Sequence, residues 1–281
     1  MKIIQNQTFD YERALYNIKD IMVESCTFAG PKDGESALKE CRDIKVNHCS
    51  FSLRYCMWHD NGFNLTNSVF NSPSRASLWY CGNGRIANTK FYSVKAIREC
   101  DKIEIDNCYF DSIEFAWKCR DIKLNNSQIV GTTYPFLDSK NIELNSVKLE
   151  GKYSFQYVEN ATINKLEMET KDAFWHAKNV TVTNSTIKSE YLGWYSDGLT
   201  LINCKIIGTQ PLCYCKNLKL IDCEMIDCDL SFEYSEVDAS INGYIKSIKN
   251  PKSGVIRVDK VGSIIKDNPV IECHADIIIK K

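Results

Sequence analysis

One short run of alternating apolar and polar positions recurs along nearly the whole chain: apolar, any, apolar, any, Asn or another polar residue, small, any, apolar. It stands plainly in Ile103-Glu104-Ile105-Asp106-Asn107-Cys108-Tyr109-Phe110 and returns at Ile122–Ile129, Val180–Ile187 and Leu199–Ile206. The first apolar position falls at Ile21, Ile44, Phe63, Gly84, Ile103, Ile122, Ile142, Ala161, Val180, Leu199, Leu218 and Val237, in steps that cluster at 19 residues. A fixed period of about twenty marks a solenoid, either leucine-rich repeats or a β-helix. Val, Ile, Thr, Asn and Cys dominate rather than Leu, and the alternation has period two, so strands fill each coil. The expectation is an all-β fold, a single-stranded right-handed parallel β-helix of about 12 coils, its hand set by the preference of parallel crossovers. The chain reads as a single domain over 1–281, with an opening coil over 1–20, repeat coils over 21–250 and a C-terminal cap over 251–281.

Three ladders accompany this register. Asn67, Asn88, Asn107, Asn126, Asn184 and Asn203 line a polar turn, with Asp222 continuing it. Asn tolerates left-handed backbone angles, and its amide can bond the amides above and below. Two small-residue columns follow, Cys26, Cys49, Ser68, Thr89, Cys108, Ser127, Ser185, Cys204, Cys223 and Cys41, Cys81, Cys100, Cys119, Ser139, Ala177, Ser196, Cys215. Metal or redox chemistry is one use for such thiols. The plainer one is a small buried hydrophobe at a tight corner, favoured because Ser, Thr and Ala substitute freely in the same columns. No paired Cys-x-x-Cys spacing of a zinc site occurs. No metal and no cofactor is expected.

The remaining strand of each coil carries every tryptophan. Five residues before the first apolar position stand Lys39, Trp58, Trp79, Arg98, Trp117, Leu137, Gln156, Trp175 and Trp194. The column before it is also apolar, Leu38, Met57, Leu78, Ile97, Ala116, Phe136, Phe155, Phe174 and Gly193; the column after it holds His59, Tyr80, Glu99, Lys118, Asp138, Tyr157, His176 and Tyr195. Neighbouring strand residues point to opposite faces, so one of the two apolar columns faces out. With the Trp column inside, Arg98 and Gln156 would be buried polar groups needing partners. With it outside, the strip exceeds what a monomer leaves bare and is a groove, an interface or a loop-covered surface.

Indole and phenol rings stack on the apolar faces of sugars and carry polar handles at their edges, so the ligand class that fits is a carbohydrate or glycosylated small molecule. Trp58, Trp79, Trp117, Gln156, Trp175, His176, Trp194 and Tyr195 are the candidate binding residues. Glu99, Lys118 and Asp138 share a column on consecutive coils beside Arg98, and these four are the candidate catalytic groups. Glu99 and Asp138 would form the acid–base pair of an inverting glycosidase, whose carboxyls lie about 6.5–9.5 Å apart. A lyase would use Lys118 or Arg98 as base. The bland alternative is an acid–base–acid ladder of ion pairs on a solvated face. No Ser-His-Asp arrangement or phosphate loop is present.

Lys plus Arg total 35 and Asp plus Glu 36, a balance that argues against nucleic acid as partner. No apolar run has the length of a membrane span or a signal peptide. The 14 cysteines therefore read as reduced thiols, and the expected compartment is the cytoplasm. The rival to a carbohydrate-binding groove is a non-catalytic scaffold, the strip buried against another protein or a second copy in a homo-oligomer.

Period and ladders together resemble the pectate-lyase-like β-helix superfamily. Glu12-Arg13-Ala14-Leu15-Tyr16, Leu38-Lys39-Glu40, Leu78-Trp79-Tyr80, Asp172-Ala173-Phe174-Trp175, Glu190-Tyr191-Leu192-Gly193-Trp194, Phe232-Glu233-Tyr234-Ser235 and the tail Ile248–Gly254 resemble, more closely, a bacterial family of uncharacterised β-helix proteins defined as a domain of unknown function. The resemblance covers essentially the whole chain. It implies the fold and no activity, since the superfamily holds lyases, hydrolases, epimerases and adhesins. The paired aspartates of polygalacturonases and the calcium aspartates of pectate lyases are absent from the sequence.

Overall fold

The computed structural model describes residues 2–30 and 35–280, and no helix occurs among them. The fold is an all-β parallel solenoid of about 14 turns. Contacts divide the chain into two compact units, Met1–Glu143 and Leu144–Lys281. In the first, the motif's leading position runs in register as Ile44, Phe63, Gly84, Ile103 and Ile122. In the second it runs Ala161, Val180 and Leu199, and further on Leu218, Val237 and Gly254. The excess over 12 coils comes from the ends. Lys2–Gln5 pairs with Ile21–Glu24, so the opening segment is a full member of the sheet. Residues expected as a cap contribute two more strands, Ser253–Ile265 against Glu236–Lys249 and Asp276–Ile279 against Ser253–Ile265.

The last apolar position of the motif builds the core of the first unit. Phe9, Phe28, Phe51, Phe70, Phe91 and Phe110 stack ring on ring, with centroids 4.5–5.1 Å apart. Burying each such ring stabilises by about 1.5–3 kcal/mol. At the leading position Gly84 lies in register with Phe63, and a Cβ at Gly84 would overlap the Phe63 ring. One large residue on one coil thus fills the space its neighbour vacates.

Each coil turns at left-handed corners held by residues other than glycine. One coil uses Tyr80, Asn83, Asn88 and Lys95, with φ of 54, 51, 51 and 58°; the next uses Glu99, Lys102, Asn107 and Glu114. The Asn corner was legible because Asn tolerates this region. Its amides do stack: Asn88 Nδ2 donates to Asn67 Oδ1 at 3.3 Å, and Asn107 Nδ2 to Asn88 Oδ1 at 2.8 Å.

The thiols fill the corners as small apolar groups. All 14 are free, all but Cys273 are buried, and no set of residues suited to a metal ion occurs among the described residues. Most of their Sγ atoms donate to main-chain carbonyls of the same or the preceding coil, as Cys81 does to Met57 at 3.4 Å, and Cys213 also reaches the Leu230 carbonyl of the next coil.

Candidate functional site

The Leu/Phe column faces the core and the Trp column faces out. Leu38, Met57, Leu78, Ile97, Ala116, Phe136, Phe155 and Phe174 are buried, whereas all five tryptophans are half-buried. The residue after each Trp is exposed as well: His59, Tyr80, Lys118, His176 and Tyr195. Strict alternation would send it inward. The left-handed corner at that residue, φ 60° at His59 and 54° at Tyr80, breaks the alternation, so two adjacent side chains share the outer face and the following Cys returns to the core.

In the first unit the outer strand is a stack of cations and indoles. Lys39 Nζ lies 4.3 Å from the Trp58 ring, and Trp58 stacks on Trp79 at 5.9 Å. The Arg98 guanidinium comes next, 5.5 Å from Trp79 and 5.6 Å from Trp117. Tyr55 leans against both Trp58 and Trp79. Ring faces are thereby taken up by neighbours along the stack, and ring edges are what solvent meets. The indole N–H groups of Trp58 and Trp117 are buried without a hydrogen-bond partner.

In the second unit two aromatic rows run side by side. Trp175 and Trp194 stack at 5.6 Å, 5° from parallel. Their N–H groups donate to the carbonyls of Tyr191 (2.8 Å) and Gln210 (2.7 Å), each one coil on. Beside them Tyr157, His176, Tyr195, Tyr214 and Tyr234 form an outward ladder, with successive centroids 4.8–5.6 Å apart. Tyr157 is 50% and Tyr195 46% exposed. Sequence reasoning named only His176 and Tyr195 of this ladder as binding residues. Its signal was the Tyr/His column itself, which the tryptophans overshadowed. Gln156, expected on the solvated strip, is 9% exposed, and its Nε2 donates to the Asp172 carbonyl at 3.2 Å. It closes a corner and is withdrawn from the surface.

Of the four charged candidates, only Arg98 and Glu99 are joined to each other by an ion pair among the described residues. Arg98 Nε donates to Glu99 Oε1 at 3.0 Å. Burial pushes the Glu99 carboxyl up, but hydrogen bonds from Arg98, Tyr80 and Trp79, with the Arg98 charge, outweigh it and hold the group below its usual range. The direction is that of a carboxylate held ionised, opposite to the shift of a general acid. Arg98 lies between the Trp79 and Trp117 rings and is ion-paired to Glu99. Lys118 and Asp138 are exposed on successive coils, and neither forms an ion pair among the described residues. The expected acid–base–acid ladder therefore reduces to the single Arg98–Glu99 pair. The strip presents aromatic edges, hydroxyl tips and a few charges.

Among solved structures, the mannuronan C-5 epimerase AlgE4 A-module of Azotobacter vinelandii is 7% identical, with a TM-score of 0.38 over 99% of this chain and 89% of that one. The surface adhesin PfbA of Streptococcus pneumoniae is 8% identical, TM-score 0.36, over 92% and 79%. The catalytic domain of a GH87 α-1,3-glucanase is 9% identical, TM-score 0.32, over 98% and 63%. No curated protein matches the sequence. A family model described as "Protein of unknown function (DUF3737)" matches residues 2–279.

Proposed function

We propose, for a chain that belongs to this family of unknown function, that it binds a carbohydrate or glycosylated small molecule along its aromatic strip. The observation that carries this reading is the ladder Tyr157–His176–Tyr195–Tyr214–Tyr234, exposed at Tyr157, His176 and Tyr195 and half-buried at Tyr214 and Tyr234, beside Trp175 and Trp194. Because the rings stack on one another, a sugar meets their edges and polar tips: C–H groups along the ring edges, hydroxyls on the Tyr and His heteroatoms. Coils rise about 4.8 Å, near the length of one sugar unit, so consecutive rings address consecutive units. In the first unit Trp58, Trp79 and Trp117 offer the same edges, with His59, Tyr80, Lys118 and Asp138 as polar contacts. The role is recognition. Glu99, engaged by Arg98, fixes the strip's charge rather than delivering a proton. Fourteen free thiols support a reducing compartment, and we place the protein in the cytoplasm.

Titrating neutral oligosaccharides against tryptophan emission tests this. Saturable changes that disappear in Trp194→Ala and Tyr195→Ala are expected. A flat response across the panel would sink it. So would a dimer, stable to dilution in sedimentation velocity and dispersed by Tyr195→Asp, which would make the strip a contact between copies.

A further inference from the structure

Three sets of cysteines stand in register on adjacent coils. Cys26 and Cys49 lie between the paired residues Glu24–Asn47 and Thr27–Ser50. Cys81, Cys100 and Cys119 directly precede Gly82, Asp101 and Arg120, which pair in turn. Cys204 and Cys223 lie between the pairs Ile202–Ile221 and Lys205–Glu224. Register partners in stacked coils have Cα atoms about 4.8 Å apart. That is inside the range of about 4.4–6.8 Å that a disulfide spans without backbone movement.

Cys204 and Cys223 differ from the other sets. Their side chains hold the same pose, Cys204 Sγ 3.4 Å from the Val182 carbonyl and Cys223 Sγ 3.3 Å from that of Leu201, each one coil back. Cys204 also lines a surface depression with Ser185, Asn203 and Lys205, and no other cysteine does. It keeps 2% of its surface exposed, whereas Cys223 behind it has 0%, so a small solute meets Cys204 first. The Cys223 thiol donates to Cys204 and holds it below the ordinary thiol range, although burial pushes it up; the same sharing raises Cys223. In the other sets burial pushes Cys49 up to about 12, and Cys81 and Cys119 well above the ordinary range. Because the thiolate is the reactive form, Cys204 is the nucleophile and Cys223 its partner.

We propose that Cys204 and Cys223 form a redox modification site that takes a hydroperoxide as oxidant and closes a disulfide between adjacent coils. The Cys204 thiolate attacks one oxygen of hydrogen peroxide: an S–O bond forms, the O–O bond breaks, and the departing hydroxide takes up the proton that Cys204 released. The Cys223 thiol then attacks the sulfur of the resulting sulfenic acid: an S–S bond forms, the S–O bond breaks, and a second water leaves with the Cys223 proton. Two electrons pass from sulfur to peroxide, and a dithiol reductant reverses the change by thiol–disulfide exchange. The bond closes a short loop and so restricts the unfolded chain, which stabilises the second unit. The pair lies on another part of the coil from the aromatic strip and does not depend on sugar binding.

Hydrogen peroxide added to the reduced full chain is the probe. Thiol titration after unfolding should show two of the 14 thiols lost, and non-reducing peptide mapping should place both in one Cys204–Cys223 link. Dithiothreitol should restore them. The oxidised form should melt several degrees higher. Cys204→Ser should abolish the loss, whereas Cys223→Ser should leave a sulfenic acid on Cys204 that dimedone traps. Both variants should fold, since Ser185 fills the same buried corner one coil before Cys204. No loss of thiols, a Cys81–Cys100 or Cys26–Cys49 link in place of Cys204–Cys223, dimedone labelling of the wild type equal to that of Cys223→Ser, or an unchanged melting temperature would each overturn the proposal.

Discussion

Asp60 Oδ1 accepts the backbone N–H of Cys41 at 2.7 Å, one coil away, at a place where Ser139 serves Cys119 and Ser235 serves Cys215. Asp60 is wholly buried in the thiol column and its Oδ2 has no partner. Burial pushes its carboxyl well above the usual range, with the neighbouring Cys100 in the same sense and the Cys41 hydrogen bonds and Arg42 opposing.

Folding stability should therefore carry an alkaline penalty from this one group. The folded state keeps the proton to higher pH than the unfolded chain, so stability falls as pH rises from the ordinary carboxylate pKa toward the raised folded one. The slope is at most about 1.4 kcal/mol per pH unit for one proton. Asp60→Asn keeps the acceptor for Cys41 and removes the titration. Urea unfolding from pH 4 to pH 8 should show a flatter profile and greater stability at the upper end; an unchanged profile would mean that Asp60 does not retain its proton.

Phe70→Ala should cost about 3–5 kcal/mol, because it opens a void in the middle of a six-ring stack. Phe9→Ala, at the end of the same stack and facing Phe28 on one side, should cost less. Denaturant midpoints with an unchanged m-value check both.

Gly84→Ile should be severely destabilising on its own, since the Phe63 ring occupies the space. Phe63→Ile together with Gly84→Ile should recover most of the loss by extending the isoleucines of Ile44, Ile103 and Ile122 through the gap. A double-mutant cycle would read a coupling of about 1–3 kcal/mol; additive losses would refute the complementarity.

The same substitution should behave differently in the two tryptophan groups. Trp194→Phe abandons the Gln210 carbonyl and should cost about 1 kcal/mol beyond the change in area. Trp58→Phe deletes an indole N–H that has no partner and should fall within about 0.5 kcal/mol of neutral or stabilise. Thermal melts of the two variants side by side provide the comparison.

The coil register was legible because burial enforces it: Ile103, Ile105 and Phe110 must all face inward, and a slip by one residue would reverse them. The thiol columns were legible through their free exchange with Ser and Ala. The outward aim of the tryptophans rested on Arg98, which would have been a buried charge otherwise. What stayed hidden was every corner lacking an Asn or Gly. Nothing in Tyr80, Lys95 or Glu99 advertises a positive φ, so the pairing of Trp79 with Tyr80 on one face could not be read from alternation. Ring orientation was equally silent: a column of indoles in sequence does not say whether faces or edges meet solvent. Gln156 was misplaced for the same reason, its amide being drawn inward by a corner carbonyl.

The in-register step of 19 residues, as from Ile103 to Ile122 or from Val180 to Leu199, makes each coil an interchangeable cassette. Gain or loss of one cassette lengthens or shortens the outer strip by one ring and leaves the remaining contacts in phase. Within either unit the length of the outer strip is therefore set by the number of repeats encoded rather than by any single residue.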